Sequence, residues 1–568
     1  MKTPRFLLGG NMKIIDSKII DSGFEKFNGQ KILKLNLGYA AMRTLCTNTR
    51  REYVIDCSLN KKADRGTVLA LALALKEYIQ KKFPEYERIG IALPSCLPGI
   101  AVNLAVQLAG KVSVNLNFTM GAEAERSCLE RANVKMVIGS KKVRDKVDSH
   151  SPDYPWTDNF FDIGDILKEI GKKRIAAKLV AVRLLPFWVL SRIYGIPRDG
   201  GDREASIIFT SGSEGMPKAA VLTHRNIMAN CVQMWNIGLI NSDTRLHSNL
   251  PLFHSFGQTI QVWMTAIYGM QSVTVQSPLE VQANLEASRK YKSTIMISTP
   301  TFLRSYYKKG KPEDFPAMHG VIGGAEKTPE GFIEKWNEKF PNVYYWEGYG
   351  LTEASPVVAV NLPPNLKRGE FCPQPSQTKA ESVGEIFPGM LAAVANPDTG
   401  EFLPIGSVGL LYLKGASIFG GYLNQPDENK KKLRDGWLNT GDLAALDEDG
   451  FIFIKGRISR FSKIGGEMVP HMSVEESIVK ALGIQDSEVP LIAIGSRIDE
   501  AKGESLVLIS SFDIEMAKLR RLLTEAGLPN LWIPKHLVRV DAIPLLSSGK
   551  LDLGKIRKLC AEGETPAA

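Results

Sequence analysis

Cysteine is scarce in this chain. Seven are present, at 46, 57, 96, 128, 231, 372 and 560, an odd and scattered set with no paired spacing. That pattern excludes a disulfide framework or a cysteine-based zinc site as the organising device and points to a reducing compartment. No apolar run approaches the length of a membrane span. At the start of the chain, Phe6 to Leu8 follows Lys2 and Arg5 but is too short for a signal peptide. Internal repeats and low-complexity segments are missing too. Acidic residues are absent from Ile170 to Arg198, a stretch that holds Lys172, Lys173, Arg174, Lys178, Arg183, Arg192 and Arg198. These absences together predict a cytoplasmic globular protein with one unusually basic segment.

What is present fits that frame. The chain has 568 residues, 44% hydrophobic and 23% charged, with a net charge of +10. A chain of this length exceeds one core, so two to four domains are expected. The charge is modest, and no nucleic-acid partner is expected. Residues 1–60 show weak periodicity. Ala63 to Lys82 reads as a helix, and then alternation begins: strand Arg88–Leu93, helix Gly99–Leu108, strand Lys111–Asn115, helix Ala122–Arg131, strand Val134–Gly139. Strands alternating with helices of this length predict βαβ units and a parallel sheet. The basic segment contains Leu184 to Leu190 and is interrupted by Pro186, so it yields no clean helical stripe.

The organising stretch is Ser206 to Lys218. A buried-strand run, Ile207 to Phe209, empties into Thr210, Ser211, Gly212, Ser213 and Gly215, with Lys218 after Pro217. Clustered hydroxyls and unobstructed backbone N–H groups suit a polyphosphate. The loop is not of Walker A type, because Pro217 and Ala219 stand where Gly and Ser or Thr are required.

Downstream, Asn226 to Ile237 reads as a helix, and Ser248–Gly257, Ile295–Ser298, Gly320–Glu326 and Val343–Glu353 read as strands running into polar loops. Loops of that kind mark a site at the carboxyl edge of a parallel sheet. Residues 360–380 read as a linker, and short β-type segments follow, then about 110 residues of mixed pattern after Arg457. Gly324, Ala325 and Glu326, with Tyr349, Gly350, Thr352 and Glu353, supply a flat backbone edge, an aromatic face, a hydroxyl and a carboxylate. Those suit an adenine, an α-phosphate and a magnesium ion. Thr440-Gly-Asp442 suits a ribose diol, Arg457 adds a cation, and Lys550 lies in a Ser-Ser-Gly turn. Each has an ordinary structural explanation alone, and their joint order and spacing is what is specific.

In that order the residues resemble the adenylate-forming superfamily of acyl-CoA synthetases, luciferases and peptide-synthetase adenylation domains. The resemblance spans about residues 60–560. It implies an α/β fold with a large N-terminal domain over 1–457, made of two α/β subdomains and a small β-barrel-like subdomain at about 380–457. A small mobile α+β domain over 458–568 would follow, with Ser459 at the hinge position.

A narrower likeness lies in the segment Ile458 to Val469, with Leu252–Phe256, Gly324–Lys327, Ala501–Val507 and Pro544–Lys550. It is similar to the synthetase half of the bacterial bifunctional acyl-acyl carrier protein synthetase/2-acylglycerophosphoethanolamine acyltransferase. The acyltransferase half is expected to be absent, since no His-x-x-x-x-Asp pair of that type occurs and few residues precede the first βαβ unit.

The resemblance implies ATP-dependent activation of a fatty acid as an acyl-adenylate, with Mg2+ on Glu353. The acyl group would then pass to a phosphopantetheine thiol of holo-acyl carrier protein, with CoA as the alternative acceptor. It implies catalytic roles for Lys550, Thr352, Glu353 and Lys218. It further implies nucleotide contacts for Thr210, Ser211, Gly212, Ser213, Gly215, Gly324, Ala325, Glu326, Tyr349, Gly350, Asp442 and Arg457. Lys463 and Gly466 would line the thiol site. His254 reads as an acyl gate or equally as a packed histidine, and helix 258–267 as a pocket wall or a plain core helix. A nucleotide-sensing pseudoenzyme or fatty-acid-import scaffold is the reading from another class. Joint presence of Glu353, Asp442, Arg457 and Lys550 weighs against it. Residues 170–198 read as a peripheral contact with an anionic membrane, a patch for acidic carrier protein, or a solvated basic face.

Overall fold

The computed structural model describes residues 13–15, 17–210, 217–372, 374–465, 467–484, 487, 489–499, 503–545 and 551–562. Its strands form four sheets. In the first, Glu204–Thr210, Val112–Asn115, Arg88–Ala92, Met136–Gly139 and Asn159–Asp162 run parallel, and Lys218–Thr223 closes one edge antiparallel to Glu204–Thr210. Near-continuous apolar runs such as Ile207–Phe209 are what a sheet covered on both faces requires. The alternation expected between Arg88 and Gly139 is present, with element bounds shifted by one or two residues.

A second sheet has a parallel centre of Glu52–Asp56, Gln271–Thr274, Arg245–Ser248, Ile295–Ser298, Gly320–Gly323 and Tyr344–Gly350. Antiparallel strands Lys61–Asp64 and Val357–Val360 lie at its two sides, with Glu385–Ile386 beyond Val357–Val360. The carboxyl ends of Ile295–Ser298, Gly320–Gly323 and Tyr344–Gly350 therefore lie side by side. That edge carries the polar loops.

The third sheet is antiparallel and includes Met390–Ala395, Val408–Gly415, Trp437–Leu446 and Ile452–Arg457. It also takes Lys13–Ile15 and Ile19–Asp21 from the far end of the chain. Those two strands have three residues each, too short for alternation to reveal them.

The fourth sheet pairs Glu467–Pro470, Phe461–Ile464, Gly503–Ser510 and Ile492–Asp499, with His536–Arg539 parallel to Gly503–Ser510. It packs with helices His471–Leu482, Met516–Glu525 and Leu553–Glu562 around its own apolar clusters. A 3-10 turn, Ile458–Arg460, joins it to Arg457. The whole is the mixed α/β architecture expected.

The basic segment breaks at Pro186, as its sequence suggests, and is helical on both sides of the break. Lys172–Leu184 and Phe187–Ile193 are helices, separated by Leu185 and Pro186. Apolar residues lie on both faces of the first helix, inward at Val182 and outward at Val180 and Leu184, so no one-sided stripe exists to detect.

Candidate active site

The hairpin Glu204–Thr210/Lys218–Thr223 pairs Thr210 directly with Lys218, so Lys218 belongs to a strand and not to the turn. Ser211, Gly212, Ser213 and Gly215 lie outside the described residues. The strand register fixes where the loop leaves and returns. Lys218 Nζ pairs with Glu428 Oε2 at 2.5 Å and lies over the Tyr422 ring. Hydrogen bonds from Lys218 and Lys431 hold the Glu428 carboxyl down at about 2.

Tyr422 connects this group to the strand-end motif. Its hydroxyl donates to Glu353 Oε1 at 2.5 Å, and Phe419 N donates to the Glu353 carbonyl. Burial first, then the Glu353 charge, pushes the Tyr422 phenol far up, so it stays a donor. Glu353 itself is buried, just after the carboxyl end of Tyr344–Gly350. Thr352 Oγ1 lies 3.3 Å from Ser255 Oγ, which places the loop of His254 against the same motif.

Backbone conformation there is unusual. Ser355 has φ 73° and Ala325 φ 72°, both in the left-handed region that non-glycine residues avoid. Strain of this kind persists where surrounding contacts over-determine it, and it clusters at functional sites. Here Ser355 Oγ is anchored on the Ser417 carbonyl at 2.8 Å.

Tyr349 O–H donates to Asp442 Oδ2 at 2.6 Å, and Arg457 Nε stands 3.7 Å from Asp442 Oδ1. Asp442 and Arg457 are opposite each other in the antiparallel pairing of Trp437–Leu446 with Ile452–Arg457. Burial and the Asp442 carboxylate raise the Tyr349 phenol well above its ordinary value. Thr440 is fully buried, its hydroxyl donating to Leu411 O and accepting from Asp442 N, and it supports the turn.

Lys432 donates to the carbonyls of Asn439 and Thr440 at 3.1 and 3.2 Å. Burial lowers its pKa, against the pull of Glu353 and Asp442. Tyr422, Glu428 and Lys432 escaped the sequence reading. Lys432 ends a run of three lysines that looks like a solvated face, and Tyr422 meets Glu353 from 69 positions away.

The remaining expected residues separate. Gly324 lies against Gly348 and Phe256, where an added Cβ would come 3.2 Å from the Gly348 carbonyl. Gly350 is more tightly enclosed, since a Cβ there would sit 2.4 Å from the Pro356 carbonyl oxygen. Glu326 Oε1 accepts from Thr301 N at 2.7 Å at the start of helix Pro300–Lys309, which ties the loop to that helix.

His254 precedes the short helix Ser255–Gly257 and meets Phe253 edge-on at 4.8 Å, with Phe253 against Phe118. Gln258–Met264 continues it as a π-helix, and every one of its residues is buried, including Gln258, Thr259 and Gln261. Gln258 Nε2 donates to Ser206 Oγ at 2.9 Å, tying this helix to the phosphate-loop strand. Lys463 is exposed on Phe461–Ile464, 3.9 Å from Asp398. Gly466 and Lys550 lie outside the described residues.

Among the described residues, no group of three or more His, Cys, Asp or Glu stands ready to hold a metal ion. Glu353 offers a single hard-oxygen donor. That fits an ion such as Mg2+, which takes one or two carboxylates and completes its shell with water and substrate phosphates.

The profile of the AMP-binding enzyme family matches residues 67–423. A mitochondrial medium-chain acyl-CoA ligase of Mus musculus is 30% identical over 367 residues, covering 62% of this chain and 57% of that protein. A long-chain-fatty-acid–CoA ligase of Salmonella typhimurium is 30% identical over 303 residues, 52% of each chain. The matched region thus spans little more than half the length of these relatives. ATP-bound MatB of Rhodopseudomonas palustris superposes with a TM-score of 0.73 at 20% identity, over 92% of this chain and 99% of that one. O-succinylbenzoate coenzyme A synthetase of Bacillus subtilis, solved with ATP and a magnesium ion, superposes at 0.73 and 21% identity over 92% and 99%. At such identities these two structures speak for the fold alone. The strand-end motifs, their meeting at one sheet edge and the match across residues 67–423 lead to one conclusion: the chain belongs to the AMP-binding enzyme family, within the adenylate-forming superfamily.

Proposed function

We propose that the protein is a ligase that activates a long-chain fatty acid with ATP and passes the acyl group to the phosphopantetheine thiol of acyl carrier protein. The observation that carries this reading is the cluster at one sheet edge. Thr352, Glu353 and Tyr349 stand together there, and Asp442 takes the Tyr349 hydroxyl at 2.6 Å. In this reading Tyr349 faces the adenine, and Asp442 with Arg457 holds the ribose. Thr352 orients the α-phosphate, and the loop after Thr210 with Lys218 takes the outer phosphates.

A carboxylate oxygen then forms a bond to the α-phosphorus as the bond to pyrophosphate breaks. Lys550 belongs between the two anions, where charge accumulates. Glu353 would hold a magnesium ion, which would supply charge neutralisation to the phosphates. In the second half-reaction the thiol sulfur attacks the acyl carbon, its proton is lost to solvent and AMP leaves. Lys463 and Gly466 belong to that step. The division of the chain at Arg457, with the 3-10 turn Ile458–Arg460 as hinge, is part of the same reading.

Transfer to CoA is the second reading. It is favoured by the 30% identity to the long-chain-fatty-acid–CoA ligase of Salmonella typhimurium. The acceptor reading rests on the resemblance of the segment Ile458–Val469 to the synthetase half of the carrier-protein enzyme. The test is an assay of purified protein with ATP, Mg2+ and a fatty acid, offering holo-acyl carrier protein and CoA separately. Thioester on the carrier protein is expected. Robust product with CoA and none with carrier protein overturns the acceptor, and absence of fatty-acid-dependent pyrophosphate release overturns the activity.

A further inference from the structure

Exposed large apolar side chains are concentrated in one place. Of the eleven among the described residues, Val180, Leu184, Leu185, Trp188 and Ile193 fall within the helix pair Lys172–Leu184/Phe187–Ile193, whereas the other six are scattered. Scattered apolar residues need no explanation, and a contiguous group does. Leu184 is 76% exposed, Ile193 63% and Trp188 62%, so these side chains project rather than line a hollow.

The inner face of the pair explains how it is held. Val182 and Leu190 are buried, and Phe187 meets Tyr39 edge-on at 5.0 Å. Lys178 pairs with Glu77 at 2.6 Å and Arg183 with Asp64 at 2.8 Å, both along or beside helix Arg65–Lys82. Those contacts correct the sequence expectation in two ways. Two of the seven cations are spent on the body of the protein, and Leu190 and Phe187 point inward. The outward set is therefore Leu184, Leu185 and Trp188 at the corner, flanked by Val180 and Ile193.

Around that face Lys172, Lys173, Arg174, Arg192 and Arg198 are exposed, and none has a carboxylate partner among the described residues. No acidic residue occurs between 170 and 198 to offset them. The first three lie in the first turn of Lys172–Leu184, Arg192 lies in the last turn of Phe187–Ile193, and Arg198 follows that helix.

We propose that this helix pair is an interfacial dock for a bilayer containing anionic lipid. Leu184, Leu185 and Trp188 enter the boundary between headgroups and acyl chains, and the five unpaired cations lie at the level of the lipid phosphates. Tryptophan favours that boundary, and Lys and Arg beside it are drawn to anionic headgroups. Each cation near an anionic surface is worth about fivefold in binding. Among the described residues no helix is long and apolar enough to cross a membrane. A protein partner would have to provide matched recesses for three projecting side chains, whereas a fluid bilayer needs none.

The dock is independent of the acyl acceptor and of turnover, and its test reads neither. Full-length protein is sedimented with phosphatidylcholine vesicles with and without phosphatidylglycerol, at low and high salt. Partition onto the anionic vesicles, weakened by salt, is expected. Replacing Lys172, Lys173 and Arg174 with Gln should lower the partition coefficient about a hundredfold. Leu184→Asp combined with Trp188→Asp should abolish it. Both variants change exposed side chains and should keep the wild-type thermal transition and pyrophosphate exchange. Undetectable binding to anionic vesicles, or binding that neither variant alters, overturns the dock. So does loss in both variants of affinity for holo-acyl carrier protein with no vesicle binding, which assigns the face to an acidic protein.

Discussion

Asp442 satisfies two demands at once. It accepts the Tyr349 proton at 2.6 Å and faces Arg457 at 3.7 Å, and its side chain is largely shielded from water. Because the Tyr349 phenol is raised well above its ordinary value, the proton it offers Asp442 remains in place across the physiological range. Asp442→Ala removes a charged acceptor, and hydrogen bonds to charged groups carry about 1.5–3 kcal/mol. ATP should then bind about tenfold to a hundredfold more weakly, as read by calorimetric titration. Tyr349→Phe keeps the ring and loses only the donor, so its loss should be nearer fivefold, or about 1 kcal/mol. Equal ATP affinity in the Asp442 variant would remove this carboxylate from the nucleotide site.

At the scale of elements, the turn from Asn249 to Gly257 links the phosphate motifs to the expected acyl side. Pro251 and Gly257 approach so closely that a Cβ on Gly257 would lie 2.2 Å from the Pro251 carbonyl oxygen. Gly257 has helical backbone with φ −64°, so the requirement is one of space and not of conformation. Gly257→Ala must push the start of the π-helix away from the strand end, and with it Ser255 from Thr352. A cost of about 1–3 kcal/mol is expected for overpacking of this kind. The measurable outcome is a lowered first thermal transition together with slower fatty-acid-dependent pyrophosphate exchange. An unchanged transition would show that the turn can open without strain.

At the scale of the whole molecule, the unit built on the sheet of Phe461–Ile464 meets the rest, among the described residues, through polar contacts that include exposed pairs. Lys327 pairs with Glu476, Arg304 donates to the Ser487 carbonyl, and Lys463 stands 3.9 Å from Asp398 with both side chains exposed. Exposed pairs are worth about 0–1 kcal/mol each, a cost low enough for the alternation between two arrangements that the proposed mechanism requires. Two arrangements predict separable defects. Lys550→Ala should slow acyl-AMP formation by about a hundredfold or more, since one preorganised charge is lost, and leave transfer from supplied acyl-AMP near wild type. Gly466→Leu should adenylate normally and transfer poorly, because a side chain would obstruct the pantetheine arm. Pyrophosphate exchange reads the first step and thioester formation from synthetic acyl-AMP the second. If Lys550→Ala impairs both alike, domain alternation is wrong for this protein.

Local pattern alone determined the βαβ alternation from Arg88 to Gly139, the phosphate-loop strand at Ile207–Phe209 and the strand-end placement of Tyr349, Thr352 and Glu353. Period and punctuation are properties of neighbouring residues, and a covered parallel sheet imprints them directly on the chain. Tertiary structure decided what depends on distant partners. Ile19–Asp21 joins a sheet whose next strand begins at Met390, and three residues carry no period. Tyr422 becomes a donor to Glu353 only because two segments meet after folding. Glu326 holds the start of helix Pro300–Lys309 through Thr301 N, a contact between segments 25 positions apart. The helices of residues 172–193 were hidden for a different reason. Hydrophobic periodicity reports burial on one side, and here apolar side chains occupy both the inner face, at Val182 and Leu190, and the outer face, at Leu184 and Trp188.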